Sequence, residues 1–552
     1  DVSTQETDLG GQTDDVLNVI YGTELGNGNL VFAISTLDRS PLSGAAFNPS
    51  LAPLGISGFG TSFLAFGAGT VDSGPYAGSY TPFQNIPDPN CIANKGILFP
   101  QASGSRCGFF YGDRFNVVND EDHLKTYTSF QTELSNGRTF KVDYLTSEID
   151  VNDNFQSPSY PALSLATPAN IIMPGQGGSP FSFPVMFLGR ALGSAFDSPA
   201  APRYLEAQRL SLGLSGELNN GFDMDINYTY SAEDNKGYQP DTSTSRFLNA
   251  IRGGSGAPGT WNLFDSTSNS QELIDYIGTF QATFVDVKLH VLDFVMTGMV
   301  NDVEVATGFQ WRKEHHDVAR NDDSIAGFDA NGNLSEPADL IFLGGGIETT
   351  ASRAAYAVFA EAAKQASEKV ELRGAVRYES LESDSTLNPK VSIRMQANDN
   401  LVLRGSVSTS FREPSLSQLN QSSVGLQGIQ DFDTSGNPVG QPSFIRIAQA
   451  YSTDLIPEES TNMNLGAIWT PNDQLSVKFD YWSIDYRDVI TIESAQGKVI
   501  ADPEGPDVVR LVDGTLIGVT TRYKNASAVE TDGYDIEASY IFDTGLGLVS
   551  LG

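Results

Sequence analysis

Apolar residues take every second place in stretch after stretch of this chain, and the stretches come in pairs. In "MNLGAIWTPNDQLSVKFDYW" (463–482), Met463, Leu465, Ala467 and Trp469 alternate with polar or small residues. After the turn "PNDQ", Leu475, Val477, Phe479 and Tyr481 do the same. A period of two belongs to strands with one apolar and one wet face. Whether the apolar face meets protein or lipid then decides the fold class.

Similar polar turns recur at 24–30, 134–139, 218–222, 300–304, 365–370, 397–401 and 543–548. Asn-Gly and Asn-Asp suit hairpins because they tolerate positive φ. Alternating residues flank each turn: Leu210, Leu212 and Leu214 before the third, and Met224, Ile226, Tyr228 and Tyr230 after it. Eight turns with two strands each predict 16 strands, the last one incomplete.

The opposite connections run over roughly 39–121, 151–204, 232–274, 315–350, 380–387, 412–460 and 488–528, nearly all long and rich in Gly, Pro, Ser, Asn and Asp. Structureless loops of that length argue against a compact soluble domain. Outer-membrane barrels pair short periplasmic turns with long extracellular loops. The expectation is an all-β chain, a transmembrane antiparallel β-barrel domain over 1–552. Its charged row (Lys141, Asp143, Glu371, Arg373, Arg377, Arg404, Lys478, Asp480) would face a hydrated or protein-filled lumen. "YTY" at 228–230, "YW" at 481–482 and Tyr486 are expected near strand ends, in an interfacial aromatic girdle.

Composition narrows function. No apolar run reaches the roughly 18 residues of a membrane helix, which does not count against a barrel. With 68 acidic and 33 basic residues the formal charge is −35, so no general attraction to nucleic acid is expected. Local basic patches for anionic ligands remain open. Cys91 and Cys107, 16 apart in a Gly/Pro/Ser-rich stretch, read as a disulfide stapling one loop in an oxidising, extracytoplasmic setting, the alternative being two unrelated thiols. No Walker-type glycine loop and no Ser-His-Asp or Cys-His grouping occurs, so neither an enzyme nor a cofactor is expected.

"GSVSTSFREPSLSQL" (405–419), "LIPEESTNMNLGAIW" (455–469), "LSVKFDYWSIDYRDVI" (475–490) and "VETDGYDIEASYIFDTGLG" (529–547) resemble the barrel of TonB-dependent outer-membrane receptors. "IYGTELGNG" and "CGFFYGDRFNVV" are similar to the first hairpins of larger members. The resemblance implies 16–17 strands of a barrel of about 22, with the TonB box, plug, last strands and terminal aromatic outside this chain. It further implies a monomer in the bacterial outer membrane, among lipid and lipopolysaccharide. Such a receptor captures a scarce bulky nutrient, a ferric siderophore first, or cobalamin or an oligosaccharide, and imports it with TonB-transmitted energy. The alternatives are a plug-less diffusion porin and a soluble all-β adhesin.

Arg412 and Glu413 in "FREPS" are candidates for ligand contact or an ion pair at the lumen mouth, against a plain strand end before Pro414. "PEES" at 457–460 reads as a strand entry. Asp431, Asp433 and Ser435 in "DFDTSG" are spaced as in a calcium loop, but Pro442 stands where the closing glutamate is due. His315 and His316 in "KEHHD" read as solvated loop residues, and on a strand they would face opposite ways. The sequons at Asn227, Asn420 and Asn525 carry no meaning in a bacterial setting.

Overall fold

The computed structural model describes residues 1–551 except 9, 10, 49, 51–54, 113, 163–169, 383, 527 and 546. Its dominant element is one 17-stranded sheet. The first strands are β1 (Val2–Glu6), β2 (Thr13–Leu25), β3 (Gly28–Arg39), β4 (Glu121–Glu133), β5 (Thr139–Val151) and β6 (Arg203–Glu217). Next come β7 (Asp223–Thr242), β8 (Gly278–Val300), β9 (Val303–Arg320), β10 (Thr349–Ser367), β11 (Val370–Ser380) and β12 (Ser385–Asn398). The last are β13 (Leu401–Arg412), β14 (Glu458–Asn472), β15 (Leu475–Arg487), β16 (Val529–Thr544) and β17 (Gly547–Leu551). Each pairs antiparallel with the next in chain order, and the sheet stays open between β1 and β17.

The hairpins fall at the eight expected turns. Positive φ is taken by Gly26 (62°), Gly137 (75°) and Gly221 (78°), and by Asn301 (56°) in the Asn-Asp turn. Leu546, in the last turn, lies outside the described residues.

Register turns the alternation into rows. Phe130, Val142, Leu212, Tyr228, Leu292, Trp311 and Tyr356 stand side by side across seven strands. On the other face Gln131, Lys141, Gly213, Asn227, Asp293 and Gln310 form the neighbouring row. No second sheet or helix layer covers the apolar rows among the described residues: Tyr356, Leu465, Trp469, Tyr534 and Ile536 are all exposed. On the inner face Arg404, Gly466 and Asp480 share a row, and Arg404 Nη2 reaches Asp480 Oδ1 at 2.7 Å. A Cβ on Gly466 would lie 2.3 Å from Asp480 Oδ1, so glycine opens the path for that pair.

Three expectations are corrected. β7 runs to Thr242, so the wall continues well past 232, while β8 starts at Gly278, close to the expected end of that connection. Only roughly 9–11 tilted residues cross a bilayer. Above the belt the outer face is wet, with Lys236 3.7 Å from Asp234 and Lys288 2.8 Å from Asp286, so pairing continues where apolar periodicity stops. His315 and His316 are for the same reason strand residues, opposite Lys288 and Val287. Third, Tyr228 and Tyr230 lie within β7 and not at its end, although Tyr230 closes the apolar part of its row, and Trp482 and Tyr486 share the face of Asp480, because neighbours on a strand point opposite ways. Only Tyr481 of the "YW" pair lies in the apolar row, beside Leu465.

The long connections fold. Ser62–Ala65 and Asn85–Pro87 from the first share a four-stranded sheet with Ile171–Ile172 and Val185–Leu188 from the second. Their core takes in Phe63, Phe187, Phe247, Trp261, Phe264 and Ile341, so four connections bury one another. Phe63 stacks on Phe264 with centroids 4.2 Å apart. A second core, including Ile429, Ile445, Val499 and Val519, joins 413–457 to 488–528. These connections make a packed cap on the wall.

Candidate functional site

A cleft opens where the cap's units meet. One part, about 410 Å³, is lined by Phe59, Tyr111, Phe115, Tyr160, Arg190, Phe342 and Phe444 among others. A second part, about 300 Å³, also has Phe444 in its lining and is bordered by Arg446, Val509 and Thr520. Ligand pockets are commonly concave, largely apolar and set with a few polar groups, at roughly 300–1,000 Å³.

Arg190 follows an apolar strand, "VMFLGR", that packs against residues 62–65. A Cβ on Gly189 would sit 2.1 Å from the Gly60 carbonyl oxygen, so glycine lets the two backbones touch and fixes the root of Arg190. The residue is 5% exposed. Its Nε donates to the Phe59 carbonyl at 3.0 Å, and its Nη1 donates to Ser157 Oγ and the Ser159 carbonyl. It lies 4.1 Å from the centroid of the Phe109 ring, over which Arg114 also stands at 4.9 Å. Burial pulls Arg190 down to about 9, so it stays protonated at neutral pH.

The walls are rigid rings. Tyr160 and Phe342 stack with centroids 4.9 Å apart and planes 8° from parallel. The Tyr160 hydroxyl donates to Gln156 Oε1 at 2.8 Å and accepts from Gln239 Nε2 at 3.0 Å. Tyr111 and Phe115 meet edge to face at 6.0 Å. In the other part, Arg446 donates to the carbonyls of Leu340 (2.8 Å) and Leu343 (3.2 Å), and burial lowers its pKa.

The residues singled out in sequence lie elsewhere. Arg412 faces Glu458 across β13 and β14, and donates from Nε and Nη2 at 2.5 and 2.6 Å. Glu413 accepts from Arg312 at 3.2 Å and stands 3.4 Å from Arg353. Burial raises its pKa, while the charges of Arg353 and Arg312 pull it back down. Arg312 also pairs with Glu379, which Arg377 holds at 2.9 Å. This network ties the start of the 413–457 connection to the inner wall and does not border the cleft.

Asp431 is taken by Arg510 at 2.6 and 2.9 Å, and that contact holds its carboxyl below the usual range. Asp433 accepts the backbone N–H groups of Ser435 and Asn437 at 2.9 and 2.8 Å, closing a hairpin turn. Among the described residues no group of three His, Cys, Asp or Glu is arranged to hold a metal. Cys91 and Cys107 are joined, with Cα atoms 5.8 Å apart, and their bridge holds the hairpin whose next residues include Phe109. His316 faces the lumen side with its Nδ1 buried and without a hydrogen bond.

Comparison with known proteins agrees with the architecture. Residues 129–551 match the family model described as TonB dependent receptor-like, beta-barrel. No curated protein matches the chain. Among solved structures, a mutant ferric enterobactin receptor from Pseudomonas aeruginosa in complex with enterobactin superposes with a TM-score of 0.56 at 12% identity, covering 98% of this chain and 59% of that one. The siderophore receptor PirA from Acinetobacter baumannii gives 0.53 at 13% identity, covering 99% and 59%. At such identities the likeness speaks for the fold, and the chain spans about three fifths of the length of these structures.

Proposed function

This chain belongs to the TonB-dependent receptor-like β-barrel family, and from that premise we propose that it is the wall and outer cap of a bacterial outer-membrane receptor. In this reading the protein captures a bulky nutrient from outside and passes it to the periplasm with energy relayed by TonB, acting as a transporter and not as an enzyme. A ferric siderophore is the first candidate ligand, ahead of cobalamin and oligosaccharides. Outer-membrane lipid and lipopolysaccharide surround the wall, TonB engages the receptor from the periplasmic side, and the unit works as a monomer. The joined Cys91 and Cys107 suit the oxidising outer side.

One observation carries the reading: apolar rows such as Leu212, Tyr228 and Leu292 lie on an uncovered face, while the cap at the loop end holds a cleft. A soluble adhesin would leave those rows in water, which is unfavourable over so large an area. A plug-less porin has less use for a cap packed across the mouth by four connections.

The test is uptake by cells that carry or lack the full-length gene, with and without TonB, under iron limitation and on complex glycans. Loss of uptake of one ligand class in both deletions supports the reading. Uptake indifferent to TonB points to the porin, and a gene product in the soluble fraction points to the adhesin.

A further inference from the structure

We propose that the 410 Å³ part of the cleft is a recognition pocket for a planar aromatic group bearing a negative charge, the anion on Arg190 and the ring between the Tyr160–Phe342 pair and Tyr111. Its place in import rests on the reading above; its binding chemistry does not.

The argument begins with the guanidinium. Arg190 is 5% exposed, yet among the described residues no carboxylate pairs with it. Its hydrogen-bond partners engage Nε and Nη1, which among the described residues leaves Nη2 without one while the side chain borders the cavity. A buried cation without a counter-ion is costly. Here a second cation, Arg114, shares the same Phe109 ring and adds to the unfavourable charge. The chain carries −35 overall, so anions are not drawn to it in general, and a positive spot of this kind selects an anion by contact. The free Nη2 donors of the cation suit an anionic oxygen acceptor such as a carboxylate, through a charge-assisted hydrogen bond.

The walls specify the rest of the ligand. Tyr160 is locked against Phe342 and pinned through its hydroxyl, so one flat aromatic wall of the cavity is fixed in advance. Aromatic pairs in stacked or edge-to-face geometry gain roughly 0.5–1.5 kcal/mol beyond area burial, an advantage a saturated ring does not share. Phe444, 53% exposed, stands at the boundary with the second part of the cleft, where a larger ligand bearing the aromatic acid can continue.

The test is titration of the purified full-length receptor in detergent, followed by calorimetry or saturation-transfer NMR. The probes are benzoate and 1-naphthoate, with benzamide as the uncharged analogue and cyclohexanecarboxylate as the non-planar one. Both aromatic acids should bind at millimolar concentrations or better, and each control at least about ten-fold more weakly. Arg190→Gln, which removes the charge, should erase the preference for benzoate over benzamide. Because that change can disturb the cap, Phe342→Leu is the second variant: it leaves Arg190 in place and should erase the preference for benzoate over cyclohexanecarboxylate. Equal binding of benzoate and benzamide to the unaltered protein overturns the role of charge, and no binding of any probe overturns the pocket. Binding without import in cells would leave the pocket standing and remove the transport reading.

Discussion

The wall and the cap solve opposite problems with the same chain. The wall buries little: the rows of Leu212 and Tyr228 keep their apolar side outward, and strand pairing supplies its order. The cap behaves as a soluble domain, with Phe63, Phe187, Trp261 and Leu340 almost wholly enclosed. The wall is specified by local alternation and near-neighbour pairing, whereas the cap depends on contacts between segments far apart, such as Phe63 with Phe264. Damage in one region should therefore leave the other intact.

The largest separation is expected from Phe63→Ala, which removes a fully buried ring and should cost the cap about 3–5 kcal/mol. Hydrogen exchange should rise across 60–87, 171–191 and 244–277 while heat-modifiable gel migration of the barrel stays unchanged. Leu212→Arg attacks the wall instead, at about 2–4 kcal/mol for a cation at the bilayer midplane. Folding yield into lipid vesicles should fall, and Gly213→Arg, on the opposite face where a Cβ meets nothing nearer than 3.8 Å, should fold with near-normal yield. Removing the bridge with Cys91→Ser and Cys107→Ser should loosen the cap by about 3 kcal/mol, read as faster proteolysis within 88–110 and normal barrel assembly. The smallest effect concerns pH: aromatic-acid binding at Arg190 should hold through neutrality and fade as pH rises past about 9, where the guanidinium loses its proton. Binding that already weakens between neutrality and about pH 6, well above the titration of the acid itself, would contradict that assignment of the cation.

The contrast also explains what the sequence discloses. Strands and turns at the membrane are legible because lipid enforces a strict period of two, as at Ile226, Tyr228 and Tyr230. Past Ala232 the same strand enters water, both faces turn polar, and Asp234 and Lys236 look like a loop although pairing continues to Thr242. Glu413 is visible as a charge at a strand end, but its partners Arg312 and Arg353 lie 101 and 60 residues upstream, and only register brings them close. Asp431 looks like an ion ligand until Arg510, 79 positions away, is found on it. Arg190 has one local signal, a single charge closing the apolar run "VMFLG", and its neighbours Tyr160, Phe342 and Phe444 come from three different connections.

The central claim is that the even-numbered row of β7 faces hydrocarbon up to Tyr230 and water above it. Spin labels placed singly from 224 to 238 in the vesicle-reconstituted full-length protein, read by collision with oxygen and with a water-soluble nickel complex, test it directly. Oxygen access should peak at 226, 228 and 230, drop at 225, 227 and 229, and give way to nickel access at 234 and 236. A row at 226–230 shielded from oxygen, or equally open to nickel, would contradict the account.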